Sequence, residues 1–396
     1  MKKLLFATAA SLAMAGGVFA EGHGGVKLGI IFGFTGPIES LTPAMASGAE
    51  HAIDEVTKSG KLLGGKTVTS VRADSTCVDS AAATAAAERL ITSDKVSGII
   101  GADCSGVTTA VLTNVALANG MVMISPSATS PALSTVKDNG LFFRTAPSDA
   151  RQGTVMTDVI MDRGFKEVAL TYTNNDYGKG LADAFQAAFE AAGGKVTIST
   201  AHEDGKADYS AEVGALAAAG GEILVVAGYL DQGGKGIIEG SLDSGAFDTF
   251  VLPDGMVGAS LPESIGSDLD GSFGQVPGTD SEGAGKLVEM AGDSYDGSAP
   301  FVAESYDAAA LIMLAMQAAS SENPSDYKGK IIDIANAPGE KIFPGELAKA
   351  LDIIAAGGDI DYVGASNVEL VGAGESAGNY REIEIKGGQL TTVKYR

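Results

Sequence analysis

The chain has 396 residues, with 50 acidic against 27 basic side chains, a formal net charge of −23, no tryptophan and three histidines. A surface this acidic repels nucleic acid and anionic membranes, and three scattered histidines with two cysteines make no zinc-type ligand set. The length gives two domains as an expectation.

Lys2 and Lys3 precede an apolar stretch from Leu4 to Gly17 and the small-residue pattern Val18-Phe19-Ala20. A basic start, a short apolar core and small residues at −3 and −1 predict a cleaved export signal over residues 1–20. The apolar core is shorter than the ~20 residues needed to span a bilayer, and it holds no cysteine to carry a lipid. The expectation is an exported, soluble chain without a lipid anchor.

Beyond the signal, strand and helix patterns alternate. Strands are predicted over 26–32, 67–73, 96–101 and 120–125, with helices over 43–58, 80–92 and 107–119 between them. After Leu141-Phe142-Phe143-Arg144 the alternation restarts. Strands at 167–172, 195–200, 222–227 and 249–252 are interleaved with helices at 150–163, 178–192, 209–219 and 235–244. Short apolar runs separated by helices of this length predict parallel sheets covered on both faces. Two such series predict two α/β lobes. Helices at 287–293, 301–320, 327–335 and 343–355 follow, and then short strands from 367 to 395. Some of these helices must pack back on the first lobe, so the lobes are expected to be discontinuous, with a multi-stranded hinge. The first lobe is read as 26–145 plus about 278–358, and the second as 146–277 plus about 359–396.

Two strand ends carry hydroxyl clusters. The run ending at Gly101 leads into Ala102-Asp103-Cys104-Ser105-Gly106, and the run ending at Ile124 leads into Ser125-Pro126-Ser127-Ala128-Thr129. In a parallel sheet both lie on the carboxyl edge, where open α/β sheets bind ligands. Hydroxyls and free N–H groups beside a helix start suit a small anion or zwitterion. In the second series Asp176-Tyr177-Gly178, Gly228-Tyr229 and Asp254 each follow a strand and reach the same kind of edge.

Cys77 and Cys104 are the only cysteines. An oxidising compartment lets them join; two free thiols and a nucleophile are the alternatives, and a nucleophile needs a partner among His23, His51 and His202. Enzyme motifs are incomplete. Gly374-Glu375-Ser376-Ala377-Gly378 has the nucleophile-elbow spacing, yet no histidine follows His202. Gly233-Gly234-Lys235 lacks the hydroxyl residue that completes a phosphate loop. Asp268-Leu269-Asp270-Gly271 lacks the closing glutamate of a calcium loop. Neither an enzyme, a metal site nor a cofactor is expected.

Several ordered segments carry a family resemblance: Phe34-Thr35-Gly36-Pro37, Cys77 with Cys104-Ser105, Met123 through Pro131, Phe143-Arg144-Thr145 through Gln152-Gly153, Asn175 through Gly180, and Ser305-Tyr306-Asp307-Ala308. Together they resemble the leucine/isoleucine/valine-binding proteins of periplasmic ABC transporters, over nearly the whole chain beyond the signal. The resemblance implies a type I periplasmic binding protein that captures a small aliphatic amino acid between its lobes. Such a protein acts as a monomer in the periplasm and delivers its ligand to the permease subunits of an ABC transporter. It also implies roles. Ser105, Ser127 and Thr129 hold the ligand carboxylate, Asp254 pairs with the ammonium, Tyr177 and Tyr229 close over the ligand, and Phe273 adds to the apolar wall. Leu41 stands near where leucine-binding members place an aromatic, which implies a remodelled side-chain pocket. The same fold binding a urea, an amide or an organic acid, and a ligand-sensing receptor subunit, are the alternatives.

Overall fold

The computed structural model describes residues 25–396, so the predicted export signal lies outside the described residues. In chain order the first strands are β1 (Val26–Phe32), β2 (Val68–Asp74), β3 (Ile99–Gly101), β4 (Met123–Ser125) and β5 (Phe142–Pro147). The next are β6 (Glu167–Thr173), β7 (Lys195–His202), β8 (Ile223–Ala227), β9 (Phe250–Leu252) and β10 (Phe273–Pro277). The last are β11 (Glu340–Ile342), β12 (Ile360–Tyr362), β13 (Leu370–Val371), β14 (Glu375–Ser376), β15 (Tyr380–Lys386) and β16 (Gln389–Tyr395).

They build two seven-stranded sheets, ordered β13-β14-β5-β4-β3-β1-β2 and β16-β15-β10-β9-β8-β6-β7, and a small β11–β12 pair. From β2 to β5 and from β7 to β10 every pairing is parallel. Strands such as Ile223–Ala227 are buried at every position, as expected of parallel strands with helices on both faces. Each sheet changes direction of growth between its first strand and its third, between β1 and β3 and between β6 and β8. Those are the switch points beyond which a ligand crevice opens.

Helix Val302–Ala319 is the spine of the first lobe. Its residues from Val302 to Met316 are buried almost without interruption, and it lies against helix Thr42–Ser59. The burial of all its faces explains a helix that is apolar all round rather than amphipathic.

The chain crosses between lobes three times: after β5 into helix Asp149–Asp162, after β10 into helix Glu282–Ala291, and between β14 and β15. The last crossing departs from the sequence reading. Strands β13 and β14 join the first sheet beside β5, so the return to the second lobe falls at 377–379 rather than near 359. Two-residue strands carry no readable periodicity, which is why the sequence pattern passed over them. Strand β10 was also not anticipated, because Phe273-Gly274-Gln275-Val276-Pro277 mixes glycine, an amide and proline. The predicted helix over 343–355 begins only at Leu347, after strand β11 and a turn.

Candidate functional site

The loops that leave the carboxyl ends of β1, β3 and β4 face those that leave β6, β8 and β9, and a small cavity of about 20 Å³ is enclosed between them. Its walls include Ile38, Leu41, Asp103, Cys104, Ser105, Ser127 and Phe301 from the first lobe and Tyr177, Tyr229, Asp254 and Gly255 from the second. A far larger hollow of about 1040 Å³ lies on the outer face of the second lobe, beside helix Gly233–Ser244. It is a surface groove with no wholly buried ionisable group, so the small interlobe cavity is the better candidate.

The first-lobe wall is held from below. Cys77 and Cys104 are joined in a disulfide that ties the loop after β2 to the loop after β3. Asp103 accepts Gly33 N–H at 2.6 Å and the Ser75 hydroxyl at 2.8 Å, so its two oxygens hold the neighbouring loops. Burial raises its carboxyl above the ordinary range. Ser105 opens helix Ser105–Val111, and its oxygen accepts the N–H of Ser130 at 3.1 Å. The Ser127 hydroxyl donates to the Asp103 carbonyl at 3.0 Å.

Arg144, 1% exposed in β5, fixes the segment that carries Thr129. Its guanidinium donates to the Ala128 and Ser130 carbonyls at 3.0 Å each, to Ser134 Oγ at 2.7 Å and to Glu375 at 2.5 Å. Thr129 itself is not on the cavity wall. Its hydroxyl is buried with no hydrogen-bond partner of ordinary geometry, and its carbonyl accepts Asp149 N–H at 2.8 Å.

In the second lobe, Asp254 follows Pro253 at the end of β9 and is 2% exposed. Tyr177 donates its hydroxyl to Asp254 Oδ1 at 2.6 Å and accepts Gly255 N–H at 3.1 Å. A Cβ at Gly255 would stand 2.7 Å from that hydroxyl and 2.6 Å from the Gly228 carbonyl, so only glycine lets the three groups meet. The Tyr177 and Tyr229 rings stack at 5.1 Å and 19°, forming one continuous aromatic wall. No cationic side chain among the described residues pairs with Asp254, whose carboxyl is raised by burial, while Tyr177 and Gln152 counteract the rise.

Asp149 and Gln152, next to Asp254, carry no role in the sequence reading. Asp149 opens the first crossing helix, is fully buried, and its two oxygens have no hydrogen bond of ordinary geometry. Its carboxyl is pushed well up, first by burial and then by the Asp254 charge. Gln152, one turn on, is equally buried, and it too lacks a partner of ordinary geometry. Both lie in the stretch from Phe143 to Gly153, where a helix start explained Asp149 without any site. Ile38 and Phe301 on the apolar side of the wall were likewise unassigned, and Phe273 is absent from it. The Phe273 ring lies flat on Phe165 at 6.0 Å with the Arg163 guanidinium 4.2 Å from its centre. It sits at the amino end of β10, away from the cleft edge, and takes no part in the cavity.

The lips of the cleft are shut. Asp231 after β8 accepts Ser40 N–H at 2.9 Å and the Ser260 hydroxyl at 2.9 Å, and its own N–H donates to the Pro37 carbonyl at 3.1 Å. Leu41 reaches across to Gly258, where a Cβ would be only 2.9 Å from its Cδ2. The arrangement suits a small amphoteric ligand: oriented N–H and hydroxyl donors on one wall, an unpaired carboxylate on the other, and apolar side chains between. It offers no nucleophile with a base beside it, and no group of three or more metal-binding side chains occurs among the described residues.

A family model described as "periplasmic binding protein" matches residues 25–333. A Leu/Ile/Val-binding protein homolog 1 of Brucella melitensis is 31% identical over 336 residues, 82% of this chain and 87% of the relative. The homolog 3 of the same organism is 33% identical over 233 residues, where the alignment spans 58% of this chain and 60% of the relative's length. Among solved structures, a leucine-binding protein of Thermotoga maritima superposes with a TM-score of 0.78 at 22% identity, over 93% of this chain and 98% of that one.

Proposed function

Because the chain belongs to the periplasmic binding protein family, we propose that it captures a small aliphatic or branched-chain amino acid between its lobes and presents it to the permease of an ABC transporter. The observation that carries this reading is Asp254. It is a buried carboxylate on the cavity wall, with one oxygen on Tyr177 and no cationic partner among the described residues. Burying an unpaired carboxylate is costly, and an ammonium group supplied by a ligand removes that cost. Ser105, Ser127 and the surrounding N–H groups take the carboxylate in this scheme. Thr129, which lies off the cavity wall, supports them from behind, next to Asp149. Ile38, Leu41 and Phe301 surround an aliphatic side chain.

A ligand held by both lobes favours the shut form over the open one, and closure is the signal a permease reads. The reading is that of a binding protein rather than an enzyme, working as a monomer outside the cytoplasm; the predicted export signal supports the location. No helix among the described residues is long and apolar enough to cross a membrane.

Calorimetric titration of the purified protein with the proteinogenic amino acids, and of Asp254→Asn beside it, tests the proposal. Saturable binding of leucine, isoleucine, valine or alanine, lost in Asp254→Asn at unchanged melting temperature, is the expected result. Binding of benzoate or urea with no amino acid bound would overturn it.

A further inference from the structure

A second opening lies in the same interlobe cleft, on the other side of Phe301. It is a groove of about 330 Å³ walled by the second crossing segment from Pro277 to Ser281, by the loop leading to Phe301, and by Glu304 and Arg381. Phe301 lines both this groove and the first cavity, so a single ring separates them. The volume is that of a small-molecule site.

Three charged side chains line it: Glu304 from the first lobe, Arg381 from the second, and the exposed Asp280 on the crossing segment between them; of the two acids only Glu304 is buried. Glu304, in the first turn of helix Val302–Ala319, is 3% exposed. Its backbone is fixed, since its carbonyl accepts the Thr145 hydroxyl at 2.8 Å. No side chain among the described residues forms a hydrogen bond or ion pair with its carboxylate, which has only its own backbone N–H beside it. Burial pushes that carboxyl up to about 7; its own backbone N–H opposes the rise, Asp307 adds to it and Arg381 opposes it more weakly. Arg381, in β15 of the second lobe, has a buried Nε with no acceptor and forms no ion pair among the described residues. Acid and base thus share one groove without reaching each other.

The remaining walls are suited to a ligand. Phe301 and Val288 are apolar, and the Ser281 hydroxyl, whose oxygen accepts Ala284 N–H, keeps its proton to donate. The floor is rigid, because Asp307 accepts Ala365 N–H at 2.8 Å, Ser366 N–H at 2.7 Å and the Ser366 hydroxyl at 2.6 Å. A structural ion pair would have closed the gap between Glu304 and Arg381. Here each instead keeps an unmet demand, and the two demands have opposite sign. Guanidinium prefers a carboxylate, which it can hold by two parallel bonds, and a buried carboxylate prefers an ammonium.

We infer that this groove is a second binding site, for a small zwitterion whose ammonium meets Glu304 and whose carboxylate meets Arg381. The inference does not depend on what the first cavity binds. Since the two charges belong to different lobes, occupancy of the groove favours one lobe arrangement and is coupled to the first site through Phe301.

The test is titration of glycine, L-leucine and 4-aminobutyrate into the full chain and into Asp254→Ala, followed by calorimetry and ligand-observed NMR. The expected result is a weaker, saturable event in at least one of these probes that persists in Asp254→Ala. Adding Glu304→Gln or Arg381→Gln to that background weakens it at least ten-fold. Glu304→Gln keeps shape and removes charge, and Arg381→Lys retains charge if Arg381→Gln fails to fold. No saturable event in Asp254→Ala with any probe, or an event indifferent to both groove substitutions, would overturn the proposal. Loss of the tight event in the unmodified protein with the weak event intact would instead overturn only the assignment of the first cavity.

Discussion

The hydroxyl of Tyr177 stands 2.6 Å from Asp254 Oδ1 and 3.1 Å from the Gly255 N–H that it accepts. The tyrosine therefore orients the carboxylate and locks the turn that carries it, while its ring stacks on Tyr229. Hydrogen bonds to a charged group contribute about 1.5–3 kcal/mol. Tyr177→Phe keeps the ring and removes the donor, so amino-acid affinity is expected to fall roughly ten- to a hundred-fold, and the melting temperature to drop as the buried Gly255 N–H loses its acceptor. Calorimetry on the two proteins side by side checks it; equal affinities would remove Tyr177 from the site.

Asp231 is the fastening of the shut cleft, joined to Ser40 and Pro37 on one lobe and Ser260 on its own. Exposed hydrogen bonds contribute on the order of 1 kcal/mol each. Asp231→Ala is expected to speed ligand release about ten-fold while the association rate changes little. Stopped-flow fluorescence with a competing ligand measures both; an unchanged dissociation rate would mean the lips close without it.

Arg144 supports the Thr129 segment from inside the core. Removing it strands two carbonyls and leaves Glu375 without its partner, and breaking a buried pair of this kind costs about 3 kcal/mol or more. Arg144→Met is expected to lose that much stability in urea and to weaken ligand binding as well. A variant as stable as the parent would show that the segment holds itself.

His202 gives a pH dependence. It is 1% exposed, shares a hydrogen bond of 2.8 Å with Thr171, and burial lowers its pKa from 6.5 to about 4. The folded state thus resists a proton that the unfolded chain accepts. The contribution of His202 is complete above pH 6.5 and is lost as the pH falls through about 4. Over that window the unmodified protein should lose on the order of 3 kcal/mol more than His202→Phe. Parallel urea melts between pH 7 and 4 decide it, with coincident curves counting against the assignment.

The Cys77–Cys104 bridge closes a loop of 27 residues' separation. In the chain-entropy model such a loop contributes roughly 3–4 kcal/mol. Reduction, or Cys77→Ala with Cys104→Ala, is expected to lower the melting temperature by several degrees and to loosen Ser105. Differential scanning calorimetry with and without reductant reads it directly; no shift in melting temperature would mean the bridge adds nothing to stability.

What could be read in advance follows from how local each signal is. The hydroxyl runs ending at Ser105 and Thr129, and Tyr177, Tyr229 and Asp254, all follow strands, so the strand-end rule of parallel sheets gathers them without knowledge of contacts. Phe273 rests on the family resemblance alone, and its place at the amino end of β10 depends on a strand too irregular to read; Phe301 opens the predicted helix over 301–320, where a first residue suggests only a boundary. Asp149 and Gln152 looked like an ordinary first turn of a helix. Their unsatisfied burial exists only once β4, β9 and the crossing helix have met. Likewise Asp231 gains meaning from Ser40, 191 positions earlier, a pairing no local pattern contains.

The threading of the chain has a practical consequence for genetics. The first sheet needs β13 and β14, and the second needs β15 and β16, after the sequence has already visited both lobes. No single cut of the gene yields two fragments that each encode a finished lobe, so an isolated half should be sought by splicing distant segments rather than by truncation.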